Sequence, residues 1–498
     1  MILRKKIMLF CLLFSFLPYT ACQVGRPEGN SGGITGDPLE RPGENSGGEN
    51  SGGENSEGIT GEPLERPREN SGGENSGGIT GDPFDKTISK KLQVAKDKAL
   101  SLIDVQFHNQ GNVLLVPEEY KTIQSAINAA TAGDSVLVGE GTYYEQLVMK
   151  DGVKLISDSS HGGDEFVSVD QAFLKLPRRT FRTIIDGSKS SPSHHGMFDF
   201  TEGLGATTII DGFTIQNLPK QNHHNSGHAH AINMRGASAV VMNCYIRKNG
   251  STGIGNHVLF KDQETPMSTR DFRWNNIQAR SSAIIYNNII HDNFGLGIGC
   301  NHFSTPWVLG NEIFGNDDSE ISGTPSPGIG IKHGAAPIII GNIVHNNPGG
   351  GILAKKGEPQ GKYNIDKPTS PLITQNILYS NAKEKPGIGN QSAGSKDFPV
   401  QIIKNHVQRE RAVGIGLMNR GVSVVEENSI EQTGSVGIAV NNSTVLKLNR
   451  NKVIKTGGPG IALVFGSKVY EMEQNIVTNT RGPKIVLRDS EVITTGSN

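Results

Sequence analysis

Polar and basic residues recur at one position of a repeated Gly-Ile step. If each Ile of these steps points into a core, alternation along a strand turns the third residue after it outward. The residues at that position are His257, Asn301, Lys332, Lys355, Gln391, Met418, Asn441 and Val464, and Arg235 extends the series if Ile232 takes the same place. Cationic and hydrogen-bonding side chains in a row are suited to the carboxylates and hydroxyls of an acidic glycan.

The residue directly after each Ile is small at every step except one, where Leu353 follows Ile352. It is a glycine at Gly255, Gly299, Gly330, Gly389 and Gly416. A row of glycines beside a row of polar side chains predicts a shallow groove, which would bind the glycan through Arg235, His257, Asn301, Lys332 and Lys355.

Catalysis in that groove would require a base near the sugar C5 proton and a cation that neutralises the uronate carboxylate. Lys332, His333 and Lys355 are the candidates for these roles, and Arg235 and His257 are of suitable types. No set of closely spaced aspartates lies on the Gly-Ile strands, which disfavours a hydrolytic mechanism.

Insertions fall on both sides of the same strand: residues 217–231 and 315–327 before it, and residues 258–282 and 356–371 after it. They are expected to wall the groove. The longest contains Arg273 and Trp274, a pair that suits stacking on a sugar ring and pairing with its carboxylate. The alternative is that Trp274 anchors its own loop.

Histidines cluster before the first of these strands. His224, His228 and His230 could bind a divalent transition metal, although their spacing matches no closed zinc motif and a solvated loop is the alternative. No cofactor is firmly implied. Cys244 and Cys300 are expected to be buried, reduced thiols.

A second repeat defines the element that carries these residues. Asn-x-Ile or Asn-x-Val recurs with a minimum spacing near 23, which is the length of one coil of three short strands. Its asparagines are Asn288, Asn311, Asn342, Asn376, Asn405, Asn428, Asn451 and Asn475. We expect their amides to hydrogen-bond from coil to coil, at a turn where asparagine tolerates left-handed backbone.

The segment before the repeat contains Thr122-Ile123-Gln124-Ser125-Ala126-Ile127, Gly133-Asp134-Ser135-Val136-Leu137-Val138 and Gly141-Thr142-Tyr143-Tyr144-Glu145. It resembles the entry segment of pectin-lyase-like proteins. The resemblance, which covers about residues 116–498, implies an all-β fold: a right-handed parallel β-helix of three-strand coils. Residues 120–130 form an amphipathic pattern, which predicts a short N-terminal capping helix.

Many pectin-lyase-like proteins cleave or epimerise uronate polysaccharides, so the resemblance adds a polysaccharide lyase or epimerase to the candidate functions. Two further alternatives are a non-enzymatic adhesin that contacts a host surface molecule and a periplasmic metal-handling protein, since accessory β-helix proteins of copper enzymes are similar in this segment. The sparse Met and Cys content counts against copper.

The N-terminus has the pattern of a bacterial lipoprotein signal. Arg4, Lys5 and Lys6 precede an apolar run of about eleven residues, too short to span a bilayer. Residues 17–22 resemble a lipobox, with Tyr19 as a departure, so we expect residues 1–21 to be removed and Cys22 to be lipidated. Ordinary secretory cleavage after Ala21 is the alternative. The prediction places the protein in the cell envelope, lipid-anchored at the outer membrane or cell surface.

Residues 22–85 have the composition of a disordered tether, rich in Gly, Asn, Ser and Glu. This stretch carries 4 basic and 13 acidic residues, and the remaining chain from Lys86 onward has a net charge of +5. Residues 86–115 are a lead-in, with a helix predicted over 86–104, and the β-helix follows over 116–498. So small a basic excess does not indicate nucleic-acid binding. We expect a monomer.

Overall fold

The computed structural model describes residues 111–160, 162–169, 171–190, 196–200, 203–220, 230–262, 270–357 and 365–493. The predicted signal, the predicted lipidation site Cys22, the predicted tether and the predicted helix over 86–104 lie outside these residues. None of the helices in the described ranges is long and apolar enough to cross a membrane.

The described strands form three long parallel sheets, and the chain visits them in turn. The strands of sheet 1 are Val113–Val116, Ser135–Val138, Lys154–Ser157, Ile209–Asp211, Val240–Met242, Ile284–Tyr286, Trp307–Leu309, Ile338–Ile340, Leu372–Thr374, Val400–Ile403, Val422–Glu426, Thr444–Asn449, Lys468–Val469 and Glu491–Val492. The strands of sheet 2 are Gly141–Tyr143, Thr183–Asp186, Thr214–Gln216, Tyr245–Arg247, Ile289–His291, Glu312–Phe314, Ile343–His345, Ile377–Tyr379, His406–Gln408, Ser429–Glu431, Lys452–Ile454 and Ile476–Thr478.

The Gly-Ile steps lie on strands of sheet 3. The strands of this sheet are Leu147–Met149, Phe198–Phe200, Ile232–Arg235, Ile254–His257, Ile298–Cys300, Ile329–Ile331, Ile352–Lys355, Ile388–Gln391, Ile415–Met418, Ile438–Asn441, Ile461–Val464 and Ile485–Arg488. This architecture confirms the predicted right-handed parallel β-helix of three-strand coils.

Short hairpins, helices and 3-10 turns lie between the strands of the described coils. Two antiparallel hairpins pair Phe166–Ser168 with Lys175–Pro177 and Leu259–Phe260 with Ile277–Ala279. The helices are Ile123–Ala129 and Ser319–Ser322, and the 3-10 turns are Arg178–Phe181, Gly187–Lys189 and Trp274–Asn276.

The helix Ile123–Ala129 covers the first coil. The Thr122 hydroxyl accepts a hydrogen bond from the Ser125 amide and so caps the helix, while Ile123, Ala126 and Ile127 are buried. The helix is shorter than the predicted 120–130. Sheet 1 also begins earlier than expected, because Val113–Val116 pairs in parallel with Ser135–Val138.

The core is built from the inward residue columns of the three sheets. The first Ile of the Gly-Ile strands is fully buried from Ile254 through Ile461, and the residue two places later is buried as well. At the last described coil, Ile485 and Leu487 are exposed. The alternation assumed from the sequence is therefore confirmed over the repeat.

The predicted asparagine ladder lies at the turn between sheets 1 and 2. Asn428 Nδ2 donates to Asn451 Oδ1 at 3.0 Å and to the Ile402 carbonyl at 2.8 Å. Asn428 Oδ1 accepts from the backbone N–H of Asn405 at 2.9 Å and from its Nδ2 at 3.1 Å. The same contacts recur from Asn288 to Asn475, and Asn288 also accepts from the Cys244 amide.

The prediction that the ladder asparagines occupy left-handed backbone is wrong. The residue before each of them has the positive φ, for example Asn287 at 54°, Glu427 at 55° and Arg450 at 53°. That left-handed residue makes the corner, and the turn it makes directs the next side chain into the coil. Asparagine is required at the ladder for its two-sided hydrogen bonding rather than for its backbone freedom.

A second ladder, which the sequence analysis missed, lies five residues further on at the turn between sheets 2 and 3. Its buried asparagines are Asn249, Asn293, Asn316, Asn347 and Asn381. It ends at Glu410, whose carboxylate oxygens accept from the Asn381 N–H at 3.0 Å and from Asn381 Nδ2 at 2.9 Å. The signal was present in the sequence as the recurring interval of five between the two asparagines of each coil.

The outer face of sheet 2 is covered over several coils. Phe173 and Leu174 lie between the strands of the hairpin Phe166–Ser168/Lys175–Pro177. Their backbone amides donate to the buried Glu312 carboxylate at 2.8 and 2.7 Å. His345 Nε2 lies 3.0 Å from the same carboxylate. On sheet 3, by contrast, Lys332 and Lys355 are exposed.

The ladder leads to a stability prediction. Replacing Asn428 by Ala removes the side chain's four hydrogen bonds. The buried Asn405 N–H loses its acceptor, and Asn451 Oδ1 keeps only the bond from the Asn428 backbone N–H. We expect a loss of about 1 to 3 kcal/mol in the free energy of unfolding, measured by chemical denaturation.

Asn275 provides the control because its side chain is exposed. Asn275→Ala should leave stability within about 0.5 kcal/mol of the parent. Equal stability of the Asn428→Ala and Asn275→Ala variants would contradict the role given to the ladder.

Candidate functional site

The outward column consists of Arg235, His257, Asn301, Lys332 and Lys355. Arg235 pairs directly with His257. On the next coils the residues just before the column are paired in register: Asn256 with Cys300, Cys300 with Ile331, and Ile331 with Ala354. Asn301, Lys332 and Lys355 therefore follow in line. The five residues therefore occupy one position on five consecutive coils, and Gln391 takes the same position on the next coil, paired with Lys355.

Exposure varies along the outward column. Lys332 and Lys355 are exposed, whereas Arg235, His257 and Asn301 are half-buried. Parallel strands lie about 4.8 Å apart, so the cationic and polar groups repeat at that interval. The column can present hydrogen-bond donors one after another to an extended ligand.

The glycine column beside it does not form an open trough. A Cβ built on Gly255 would lie 1.8 Å from His230 Cδ2, and Cβ atoms on Gly330 and Gly389 would lie 2.9 and 2.6 Å from leucine methyl groups of Leu296 and Leu353. The glycines are needed because these side chains fold over them. The expected groove floor is therefore covered, partly by the half-buried Leu296 and Leu353.

Histidines form a row across the same face. The Nε2 atoms of His230 and His257 are 2.9 Å apart, so one ring donates to the other, and the rings are stacked with centroids 5.1 Å apart. His257 neighbours His302 at 5.8 Å, and His302 stacks on His333 at 4.7 Å. The sequence analysis paired His230 with His224 and His228 instead, which lie outside the described residues.

The described part of the chain contains no group of three or more His, Cys, Asp or Glu side chains arranged to hold a metal ion. His230 contacts His257 rather than a set of ligands. Cys244 and Cys300 are buried free thiols, and burial raises the pKa of the Cys244 thiol to about 12.

His333 differs from a typical general base. Burial, with a contribution from the Lys332 charge, lowers its pKa to about 4. A base works best when its pKa is near the operating pH, so the neutral His333 imidazole is a weak proton acceptor. Lys332 and Lys355 are exposed cations, which a substrate carboxylate could reach from solvent.

The structure reveals a carboxylate that sequence reasoning overlooked. Asp199 and Asn233 pair in register on sheet 3, at the position that Gly255 takes on the next coil, and Asn233 Nδ2 donates to Asp199 Oδ1 at 3.0 Å. The alternation Phe198-Asp199-Phe200, with both aromatics inward, was the signal that could have found it. Asp199 and Asn233 thus extend the polar face beyond Arg235.

The long insertion after His257 folds back as a hairpin with its own apolar cluster of Val258, Phe260, Phe272 and Phe303. Trp274 packs edge-to-face on Phe303 at 5.5 Å, and the Arg280 guanidinium lies 4.9 Å from its ring centroid. These contacts favour the interpretation of Trp274 as an anchor of its loop. Arg273 forms an ion pair with Asp271 at 2.8 Å, which reduces its value for pairing with a ligand.

Comparison with known families agrees with the architecture. A model described as "Right handed beta helix region" matches residues 203–365 and 361–498, more than half of the chain, and the chain belongs to this family. A model described as "Protein of unknown function (DUF1565)" matches residues 108–278. No curated protein matches the sequence.

Solved structures with a similar backbone path include the periplasmic alginate epimerase AlgG, with 12% identity, coverage of 79% of this chain and 89% of that chain, and a TM-score of 0.42. The A-module of the Azotobacter vinelandii mannuronan C-5 epimerase AlgE4 has 12% identity, 80% and 99% coverage, and a TM-score of 0.35. XylC in complex with xylose has 11% identity, 69% and 75% coverage, and a TM-score of 0.43. At these identities and scores the likeness says nothing about this chain's own ligand or reaction.

Proposed function

We propose that this β-helix protein binds an acidic polysaccharide along the outer face of sheet 3. The observation that supports this most directly is the outward column, in which five polar or cationic residues repeat on consecutive coils. The interval of about 4.8 Å is close to the length of one sugar unit in an extended chain. A polyanion can therefore meet one donor after another without bending.

The neighbouring surface suits a sugar chain as well. Leu296 and Leu353 are half-buried over the glycine column, so each presents some apolar surface beside the polar column. Sugar rings have apolar faces that pack on such side chains while their charged edges meet Lys332 and Lys355. Affinity in this arrangement comes from many weak contacts, since exposed charge pairs each contribute about 0.2 to 1 kcal/mol.

The proposal includes the N-terminal segment. A lipid on Cys22 would anchor the protein in the envelope, and residues 22–85 would act as a flexible tether between the anchor and the glycan-binding coils. This arrangement favours a glycan of the cell envelope or of a surface that the cell contacts.

A lyase or epimerase acting on the same glycan is the second candidate. It is favoured by the position of His257 beside Arg235, since a base next to a cation could remove the C5 proton while the guanidinium holds the uronate carboxylate. In a lyase the resulting carbanion expels the sugar on O4 and leaves a C4–C5 double bond. In an epimerase a proton returns to C5 from the other side.

The binding proposal predicts the effect of removing two exposed cations. Lys332→Ala combined with Lys355→Ala should weaken binding of polygalacturonate about twofold to thirtyfold, measured by calorimetry at low salt. Added salt should weaken the parent in the same way, because exposed charges are screened within about 8 to 10 Å at 0.1 to 0.15 M salt. The melting temperature should be almost unchanged.

The matched control is Lys175→Ala with Lys452→Ala, which removes two exposed lysines associated with sheet 2. It changes net charge equally and should leave affinity within about twofold of the parent. Equal losses in the two double variants would show that binding follows net charge and not the outward column.

The enzyme candidate predicts turnover. Incubation of the protein with polyuronates should give new ultraviolet absorbance from an unsaturated sugar if it is a lyase, or uptake of solvent deuterium at C5 if it is an epimerase. His257→Gln should abolish either signal while polygalacturonate binding persists. The absence of both signals in the parent protein would exclude this candidate for the glycans tried.

The anchor predicts a change of location. In cells, Cys22→Ala should release the protein from the membrane fraction and prevent incorporation of labelled palmitate, because the thiol that carries the lipid is gone. Cys11→Ala is the control, since Cys11 lies within the predicted signal. Membrane association and labelling that persist in the Cys22→Ala variant would contradict the anchor.

A further inference from the structure

Four successive coils carry a polar side chain at the corner that follows sheet 2. Arg409, Gln432, Lys455 and Asn479 each come directly after a strand of that sheet, and all have φ between 51° and 57°. Their side chains are exposed. Because the strands are in register, the four side chains form a column on the outside of the corner.

Two residues after each of these positions the coils carry Arg411, Gly434, Gly457 and Arg481. A Cβ on Gly434 would lie 2.1 Å from the Arg411 carbonyl oxygen, and one on Gly457 would lie 2.1 Å from the Gly434 carbonyl oxygen. No side chain fits at the two central coils. The two central coils therefore carry no side chain between the levels of Arg411 and Arg481, and this leaves a gap next to Arg409 and Arg481.

The gap is a surface cavity of about 600 Å³, called here the basic notch. It is lined by Arg409, Glu410, Gln432, Thr433, Gly434, Lys455, Thr456, Gly457, Asn479 and Arg481. Lys455 lies 3.6 Å from Glu431, whereas neither Arg409 nor Arg481 forms an ion pair within the described ranges. Arg409 and Arg481 therefore line the same cavity, and neither is paired with a carboxylate in the described ranges.

The one carboxyl group of the lining is Glu410, at the end of the second ladder. Burial raises the pKa of Glu410 to about 7, against the opposing effect of its bonds from Asn381 and of the Arg411 charge. The preceding coil, where Gly387 packs against the Glu410 carboxyl group, carries Lys383, Glu384 and Lys385. Below neutral pH Glu410 is therefore largely protonated and adds little negative charge to the notch.

We propose that the basic notch is a binding site for an oxyanion, either free sulfate or phosphate or the same group as an ester on a sugar. Arginine forks match the oxygen atoms of such groups in paired hydrogen bonds. The site lies at a different corner of the coils from the outward column. It does not depend on the glycan proposal.

The test measures sulfate binding to the full chain by calorimetry. Arg409→Ala combined with Arg481→Ala should lower the affinity at least about tenfold. Gln432→Glu places a carboxylate among the cations at an exposed position and should lower affinity to a similar degree with both arginines present. Lys332→Ala combined with Lys355→Ala should leave sulfate binding unchanged, which separates this site from the outward column.

Inorganic phosphate and a sulfated oligosaccharide distinguish the sources of the anion. Binding of the free ions indicates a site for small anions, and binding of the oligosaccharide alone indicates a sugar ester; both support the notch if the two variants abolish it. No saturable binding of any of these probes, or binding that both variants leave intact, would overturn the proposal.

Glu410 should make sulfate binding in the notch depend on pH. Sulfate keeps its charge between about pH 6 and about pH 8, whereas Glu410 loses its proton there, so sulfate affinity should fall as the pH rises. The charged groups around Glu410 and the notch are Arg409, Arg411, Lys455 and Arg481. Glu410→Gln should give pH-independent affinity, and a parent protein that is already pH-independent would contradict the place given to Glu410.

Discussion

The in-register stacking of parallel coils is the constraint on which the rest of the structure depends. Each strand pairs with the equivalent strand of the next coil, and the turns are held by side chains that repeat the same bond from level to level. Asn428 illustrates the rule because it accepts from the coil before it and donates to the coil after it. A one-residue slip would exchange inward and outward side chains and break the ladder at once.

This constraint also explains how exposed residues can form a defined surface. Lys332 and Lys355 lie in line because the residues directly before them, Ile331 and Ala354, are paired in the sheet. Insertions enter at the turns and leave the register intact. The hairpin that contains Trp274 shows this, since its apolar cluster packs beside sheet 3 without changing the pairing of Asn256 with Cys300.

Sequence reasoning predicted what depends on period and alternation. The β-helix, the asparagine ladder and the outward column all follow from counting residues from Gly-Ile and Asn-x-Ile steps. The covered glycine column could not be predicted in the same way, because its cover comes from side chains such as His230 and Leu296 whose rotamers period does not determine. Asp199 was missed since its strand lacks the Gly-Ile step, and the second ladder was missed although its interval of five was visible.

The length dependence of glycan affinity tests the central claim most directly. Oligogalacturonates of increasing length should bind with rising affinity until about five sugar units cover the five coils of the outward column, and longer chains should gain little. Carboxyl-reduced oligosaccharides of the same lengths should bind far more weakly. Affinity that does not depend on length, or equal binding of the reduced sugars, would contradict an acidic glycan lying along this face.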